Sequence, residues 1–93
     1  MALRYERKEK MRLLTELPEY PEIDLAATGE NMRRLREQSG CSVEVMAHYL
    51  RLAGPRSIYY WFRGDALPSV DSLYAMSRLF QVSINEILVE KTA

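Results

Sequence analysis

Ninety-three residues hold one small domain and an appendage, because independent domains usually run to about 100–200 residues. A hydrophobic fraction of 47% excludes a wholly disordered chain, and 13 basic against 13 acidic residues exclude a global attraction to polyanions. No apolar run approaches the roughly 18 residues of a membrane span, the charged stretch from Arg4 to Arg12 has no signal-peptide core, and Cys41 with the lone His48 makes neither a disulfide nor a four-ligand zinc site. A cytoplasmic protein without metal or cofactor is expected.

Residues 1–17 alternate charges with sparse apolar positions at Leu3, Met11, Leu14 and Leu17. A Glu6–Lys10 pair has the favourable i,i+4 spacing, and the thin stripe predicts a frayed or partner-dependent helix. Pro18 and Pro21 end it, and Ile23 and Leu25 follow as a short extended piece. Thr28 reads as the N-cap of the next helix, with Met32 and Leu35 on one face and Gly40 as its left-handed stop. Ser42 caps another helix, with Met46, Tyr49 and Leu50 at i, i+3 and i+4. After a turn over Arg51 to Gly54, Pro55 opens a helix striped by Ile58, Trp61 and Phe62 and stopped by Gly64. Pro68 and Ser69 start a helix with Val70, Leu73, Ser77 and Phe80 along one side. The set Leu73, Tyr74, Met76 and Phe80, together with the five methionines, is read as core. Ser83 and Glu86 form a capping box for a last short helix with Ile84, Ile87 and Leu88. No strand pattern of useful length and no repeat intervenes, so the predicted class is all-α.

The neutral total hides a gradient. Residues 29–63 carry Arg33, Arg34, Arg36, Arg51, Arg56 and Arg63 against Glu30, Glu37 and Glu44, while the segments on either side are slightly acidic. Arginine presents a planar donor fork that fits phosphates and guanine edges. At 100° per residue, Trp61 and Phe62 lie within about 60° of Ile58, and Arg56, Tyr60 and Arg63 within about 40° of the opposite direction. Ser57 and Tyr59 flank them. That outer side suits a polyanion: arginines for phosphates or bases, a serine for phosphate, tyrosines for a hydroxyl donor or thymine-methyl contact. A plain solvated face is the competing reading of the same wheel. A capped helix, a short turn and an amphipathic helix also make the helix-turn-helix plan, in which the second helix enters the major groove. Amides at the helix start by Ser42 and Val43 are placed for a phosphate, Arg51 is placed to reach the DNA backbone, and Arg33, Arg34 and Arg36 spread over the exposed arc of the preceding helix.

Larger stretches carry a resemblance: Gly29-Glu-Asn-Met-Arg-Arg-Leu-Arg-Glu-Gln, Ser42-Val-Glu-Val-Met-Ala, Ser57-Ile-Tyr-Tyr-Trp-Phe-Arg-Gly, Leu67-Pro-Ser-Val-Asp-Ser-Leu-Tyr-Ala-Met-Ser-Arg-Leu-Phe and Val82-Ser-Ile-Asn-Glu-Ile-Leu. Together they resemble the phage-repressor-type family of Cro, lambda repressor and the xenobiotic-response-element regulators. The resemblance implies a five-helix lambda-repressor-like DNA-binding domain over residues 28–89, with the motif at about 42–63, an N-terminal extension at 1–27 and a tail at 90–93. It implies a bacterial or phage transcriptional regulator, usually dimeric, on duplex DNA. By position it places Ser42 and Val43 at the start of the first motif helix. Pro55, Arg56, Ser57, Tyr59 and Tyr60 fall at reading positions, and Ile58 and Trp61 in the core. Three features depart from the family. Val43 stands where glutamine is common, the turn is one residue longer than the commonest form, and Asp65 sits where relatives often carry a base. Each lowers the affinity expected of one subunit.

The leading expectation is sequence-specific binding of double-stranded DNA by a homodimer. Arg63 joins the reading helix, Arg33, Arg34 and Arg36 supply phosphate contacts, and the dimer surface is sought in the extension around Ile23 and Leu25 or on the last helix. The alternative is an antitoxin-like or regulator-subunit module that uses the same fold to hold a partner protein, centred on Tyr59 and Tyr60. An enzyme is not expected. His48 reads as a surface or partly buried side chain and Cys41 as a small hydrophobe at a helix end, and no catalytic or metal-ligand spacing accompanies them.

Overall fold

The computed structural model describes residues 7–92, with side chains from Lys10 onward. Leu3 and Glu6 of the expected first helix lie outside the described residues. Six helices follow in order: α1 (Arg7–Glu16), α2 (Leu25–Ser39), α3 (Val43–Tyr49), α4 (Arg56–Arg63), α5 (Val70–Phe80) and α6 (Ile84–Ile87). The last five make the expected all-α unit, and α1 belongs to the extension. Among the described residues β-pairing is limited to one antiparallel bridge between Ile23 and Glu90.

Most helix ends are written in the local sequence. Ser42, Ser69 and Ser83 are N-caps whose side chains accept from the amides of Val45, Ser72 and Glu86, and Glu86 answers Ser83 in a full capping box. Gly40 and Gly64 close α2 and α4 in the left-handed region, at φ 74° and 79°. The start of α2 differs from expectation. Its N-cap is Asp24, which accepts from Ala27 N at 2.9 Å. Thr28 is instead fully buried, and its Oγ1 accepts from the amide of Val89 at 2.9 Å. A cap residue four positions earlier wins because the C-terminal segment runs back over α2. Asp24 N donates to Val89 O at 2.8 Å and Lys91 N to Glu22 O at 2.9 Å. Ile23 is thereby engaged within the chain, and Leu25 becomes the first residue of α2 rather than part of an extended piece.

The buried core is Met32, Met46, Ala47, Leu50, Ile58, Trp61, Phe62, Met76 and Ile87, with Leu35, Leu73, Phe80 and Val82 packed around it. Two expected core residues, Tyr74 and Met11, lie exposed instead, as do Tyr49 and Val70 of the helix stripes, and Met1 lies outside the described residues. Val70, the first residue of α5, precedes the part of that helix which reaches the core, and Tyr74 lies with Arg78, whose guanidinium carbon is 5.4 Å from its ring centroid. The most extensive helix contact is α2 on α4. It is built on backbone proximity. A Cβ added at Gly29 would sit 2.6 Å from the carbonyl oxygen of Phe62 and closer still to that of Trp61, and one added at Gly64 would sit 2.8 Å from Ala26 Cα. That approach fixes how α4 is rotated, and so which of its sides meets solvent.

Candidate nucleic-acid interface

α4 sorts its eight residues sharply. Ile58, Trp61 and Phe62 are buried, Arg56, Tyr59 and Arg63 are exposed, and Pro55, Ser57 and Tyr60 are half-buried around its start and flank. On the outer side Tyr60 stands between two guanidinium groups, one turn away in each direction. Arg56 Nε donates to the Tyr60 hydroxyl at 3.1 Å, with the guanidinium carbon 5.6 Å from the ring centroid; that of Arg63 is 4.9 Å from the same centroid. Cation–π contact and the hydroxyl acceptor hold both arginines along the helix without removing them from solvent. Tyr59, 46% exposed, meets Phe62 edge-on at 6.3 Å.

The turn into α4 spans Leu50 to Pro55. Its left-handed residue is Arg51, at φ 59°, rather than the glycine further along. The cost of a side chain there is of the order of 1 kcal/mol, and Leu52 offsets it by packing on the core and donating its amide to Ala47 O at 3.0 Å. The Arg51 side chain is exposed in a shallow depression with Tyr49, Ser69, Asp71 and Ser72, which no α4 residue lines. At the head of α3, Ser42 is exposed while Val43 is half-buried against the core.

The three arginines of α2 diverge. Arg33 reaches α4, with its guanidinium carbon 5.3 Å from the Phe62 ring centroid and Nε 3.6 Å from Glu30. Arg34 donates to Asn31, whose own amide donates to the carbonyls of Glu86 at 2.7 Å and Ile87 at 2.9 Å, so Arg34 lies toward α6. Arg36, only 22% exposed, donates to Cys41 O at 2.8 Å and closes the α2–α3 connection. At 100° per residue Arg34 points about 100° away from Arg33 and Arg36 about 60° to the other side, and of the three it is Arg33 whose guanidinium stacks on an α4 ring. Sequence reading also missed the tie made by Asn31, because nothing local marks an asparagine that reaches 55 residues ahead.

Carboxylates temper the surface. Asp65 lies 3.0 Å from Arg63 Nε, and Glu30 faces Arg33. Arg56 pairs with no carboxylate among the described residues. Among those residues no cluster of His, Cys, Asp or Glu has metal-binding geometry, and no helix is long and apolar enough to cross a membrane. Cys41 is half-buried and His48 exposed.

Residues 32–87 match the family model described as helix-turn-helix. The chain belongs to this helix-turn-helix family. Its phage-repressor type follows from the same match, and membership places it among DNA-binding transcription regulators. No curated protein matches significantly. Solved structures of similar fold include the restriction-modification controller protein C.AhdI from Aeromonas hydrophila, at 23% identity and TM-score 0.62, covering 69% of this chain and 96% of that one. Another is the P22 c2 repressor in complex with a synthetic operator, at 23% identity and TM-score 0.61, covering 66% and 91%. The clp gene regulator ClgR from C. glutamicum aligns at 21% identity and TM-score 0.59, covering 67% and 79%. All three share the helix-turn-helix fold with this chain.

Proposed function

We propose that the protein is a bacterial or phage regulator that binds specific double-stranded DNA sites as a homodimer, each copy laying α4 in the major groove. The observation that carries this reading is the accessibility of the α4 side opposite Trp61, where Arg56, Tyr59 and Arg63 reach solvent. Arg56 has the chemistry for a phosphate or guanine edge, Tyr59 for a thymine methyl, and Ser57 for a phosphate. Tyr60 keeps both arginines in position. Pro55 sets the start of the helix, Ser42 and Val43 bring the amides of α3 toward the backbone, and Arg33 adds a phosphate contact at the flank. Arg34, Arg51 and Arg36 contribute less, since Arg34 is held on Asn31 toward α6, Arg51 lies in a depression that no α4 residue lines, and Arg36 is engaged within the chain. The P22 c2 repressor, solved on a synthetic operator, makes duplex DNA the partner to test first.

Few unpaired cations mean weak binding by one copy, which two copies spaced about 34 Å apart repair. Selection of bound duplexes from a random pool with the full chain is expected to return a two-fold-symmetric site. Recovery of no enriched sequence would contradict sequence-specific binding. Asp65→Asn, which releases Arg63 and removes a negative charge beside the duplex, is expected to tighten binding by about three- to tenfold at low salt, with the gain shrinking as salt rises. Fluorescence anisotropy over a salt series checks it.

A second reading, a module for a protein partner, draws on the exposed Val45 and Tyr49 of α3 together with Tyr59. A contact centred on these side chains responds little to salt, whereas DNA affinity falls steeply.

A further inference from the structure

The expected dimer surfaces are partly used within the chain. Ile23 is bridged to Glu90, Leu25 is half-buried in α2, and Ile84 at the start of α6 and Leu88 just after it are half-buried as well. α1 is different. Met11, Leu14 and Leu17 are 62%, 60% and 59% exposed. Three residues apart, they follow one side of the helix and its end as an apolar ridge, with Leu13 half-buried at its edge. A helix of ten residues is shorter than the roughly 12–15 residues that an isolated helix needs to rise above marginal stability in water. Packing is what sustains helices of this length, and the ridge is the surface left for it.

Charge identifies the occupant. Residues 7–12 carry Arg7, Lys8, Lys10 and Arg12 against Glu9 alone, while residues 16–22 carry Glu16, Glu19 and Glu22 and no base. Glu22 is shared with Lys91 at 3.4 Å, so Glu16 and Glu19 dominate the acidic end. A segment positive at one end and negative at the other complements a copy of itself turned end for end, and repels one laid parallel. An isologous dimer has a two-fold axis, and an axis perpendicular to the helices gives the end-for-end arrangement that the charges favour.

We propose that α1 is a dimerisation helix whose Met11–Leu14–Leu17 ridge packs antiparallel on the same ridge of a second copy, with the axis near Leu14. The basic end of each helix then lies beside the Glu16–Glu19 end of the other. This rests on the homodimer reading above and names its surface, and it uses no residue of α4.

Sedimentation equilibrium of the full chain without DNA tests it. The wild-type chain is expected to dimerise, and Leu14→Glu to raise the dissociation constant by about 100-fold or more, because the substitution enters both sides of the axis. Leu14 is exposed, so the thermal melt of the variant's α2–α6 unit stays at the wild-type temperature. Lys10→Glu and Glu19→Lys are each expected to weaken self-association several-fold, and an equimolar mixture of the two variants to restore it, since each reversed end then meets its opposite. A dimer untouched by Leu14→Glu but lost in Val70→Glu, at an α5 residue 78% exposed, places the contact on α5 and overturns the surface alone. A mixture with no gain overturns the antiparallel pairing. A wild-type chain that stays monomeric overturns both the surface and the homodimer.

Discussion

Replacing Gly29 by alanine is expected to destabilise the protein by about 3 kcal/mol or more, the upper range for forcing atoms into a packed interior. The added methyl meets the carbonyl oxygens of Trp61 and Phe62, which are backbone atoms of a helix and have no rotamer by which to move aside. Alanine's higher helix propensity returns only about 1 kcal/mol. Two other glycines give contrasting results. Gly40→Ala enters open space at φ 74° and is expected to cost about 1 kcal/mol through backbone strain alone. Gly54→Ala has open space and no left-handed backbone, and is expected to be neutral or slightly stabilising, by up to about 1 kcal/mol. Urea denaturation of the three variants checks the order. Equal costs at Gly29 and Gly54 would mean that α2 and α4 are further apart than described.

Arg56→Ala is expected to weaken binding to the selected duplex by about 10- to 100-fold and to reduce the slope of log affinity against log salt by about one where the contact is a phosphate. Arg56 is exposed and pairs with no carboxylate among the described residues, so little folded structure depends on it. Arg36→Ala should behave in the opposite way. It leaves the Cys41 carbonyl without its donor and loosens the α2–α3 connection, lowering thermal stability while changing affinity little in the folded fraction. Arg34→Ala, toward α6, should change neither much. Anisotropy titrations paired with thermal melts separate the three outcomes.

Local chemistry made most of the fold legible. Serine caps, left-handed glycines and the Ile58–Trp61–Phe62 stripe each state their role within four residues, and the all-α class and the last four helices follow from them. Long-range contacts did not show. The start of α2 was hidden because Thr28 has the side chain of a cap but serves the returning segment at Val89, 61 residues away. Tyr74 was read as core and Tyr49 and Val70 fell on the apolar stripes, yet short helices have more apolar residues than the small core has room for. At the candidate site the outward residues of α4 could be read from a helical wheel. That Arg33 stacks on Phe62 of α4 could not, because the wheel of one helix does not show where another helix crosses it.

A base-preference profile of the wild-type chain and Arg56→Ala on the selected duplex, each base pair of one half-site changed in turn, puts the placement of α4 to the test. With α4 in the major groove and Arg56 reading a base, the variant loses discrimination at one or two adjacent base pairs, where the wild-type preference is worth about 1–3 kcal/mol, and keeps it elsewhere. With Arg56 holding a phosphate, the variant weakens binding evenly at every position. An Arg56→Ala profile that matches the wild type at every position, at unchanged affinity, would show that another surface of the protein meets the duplex.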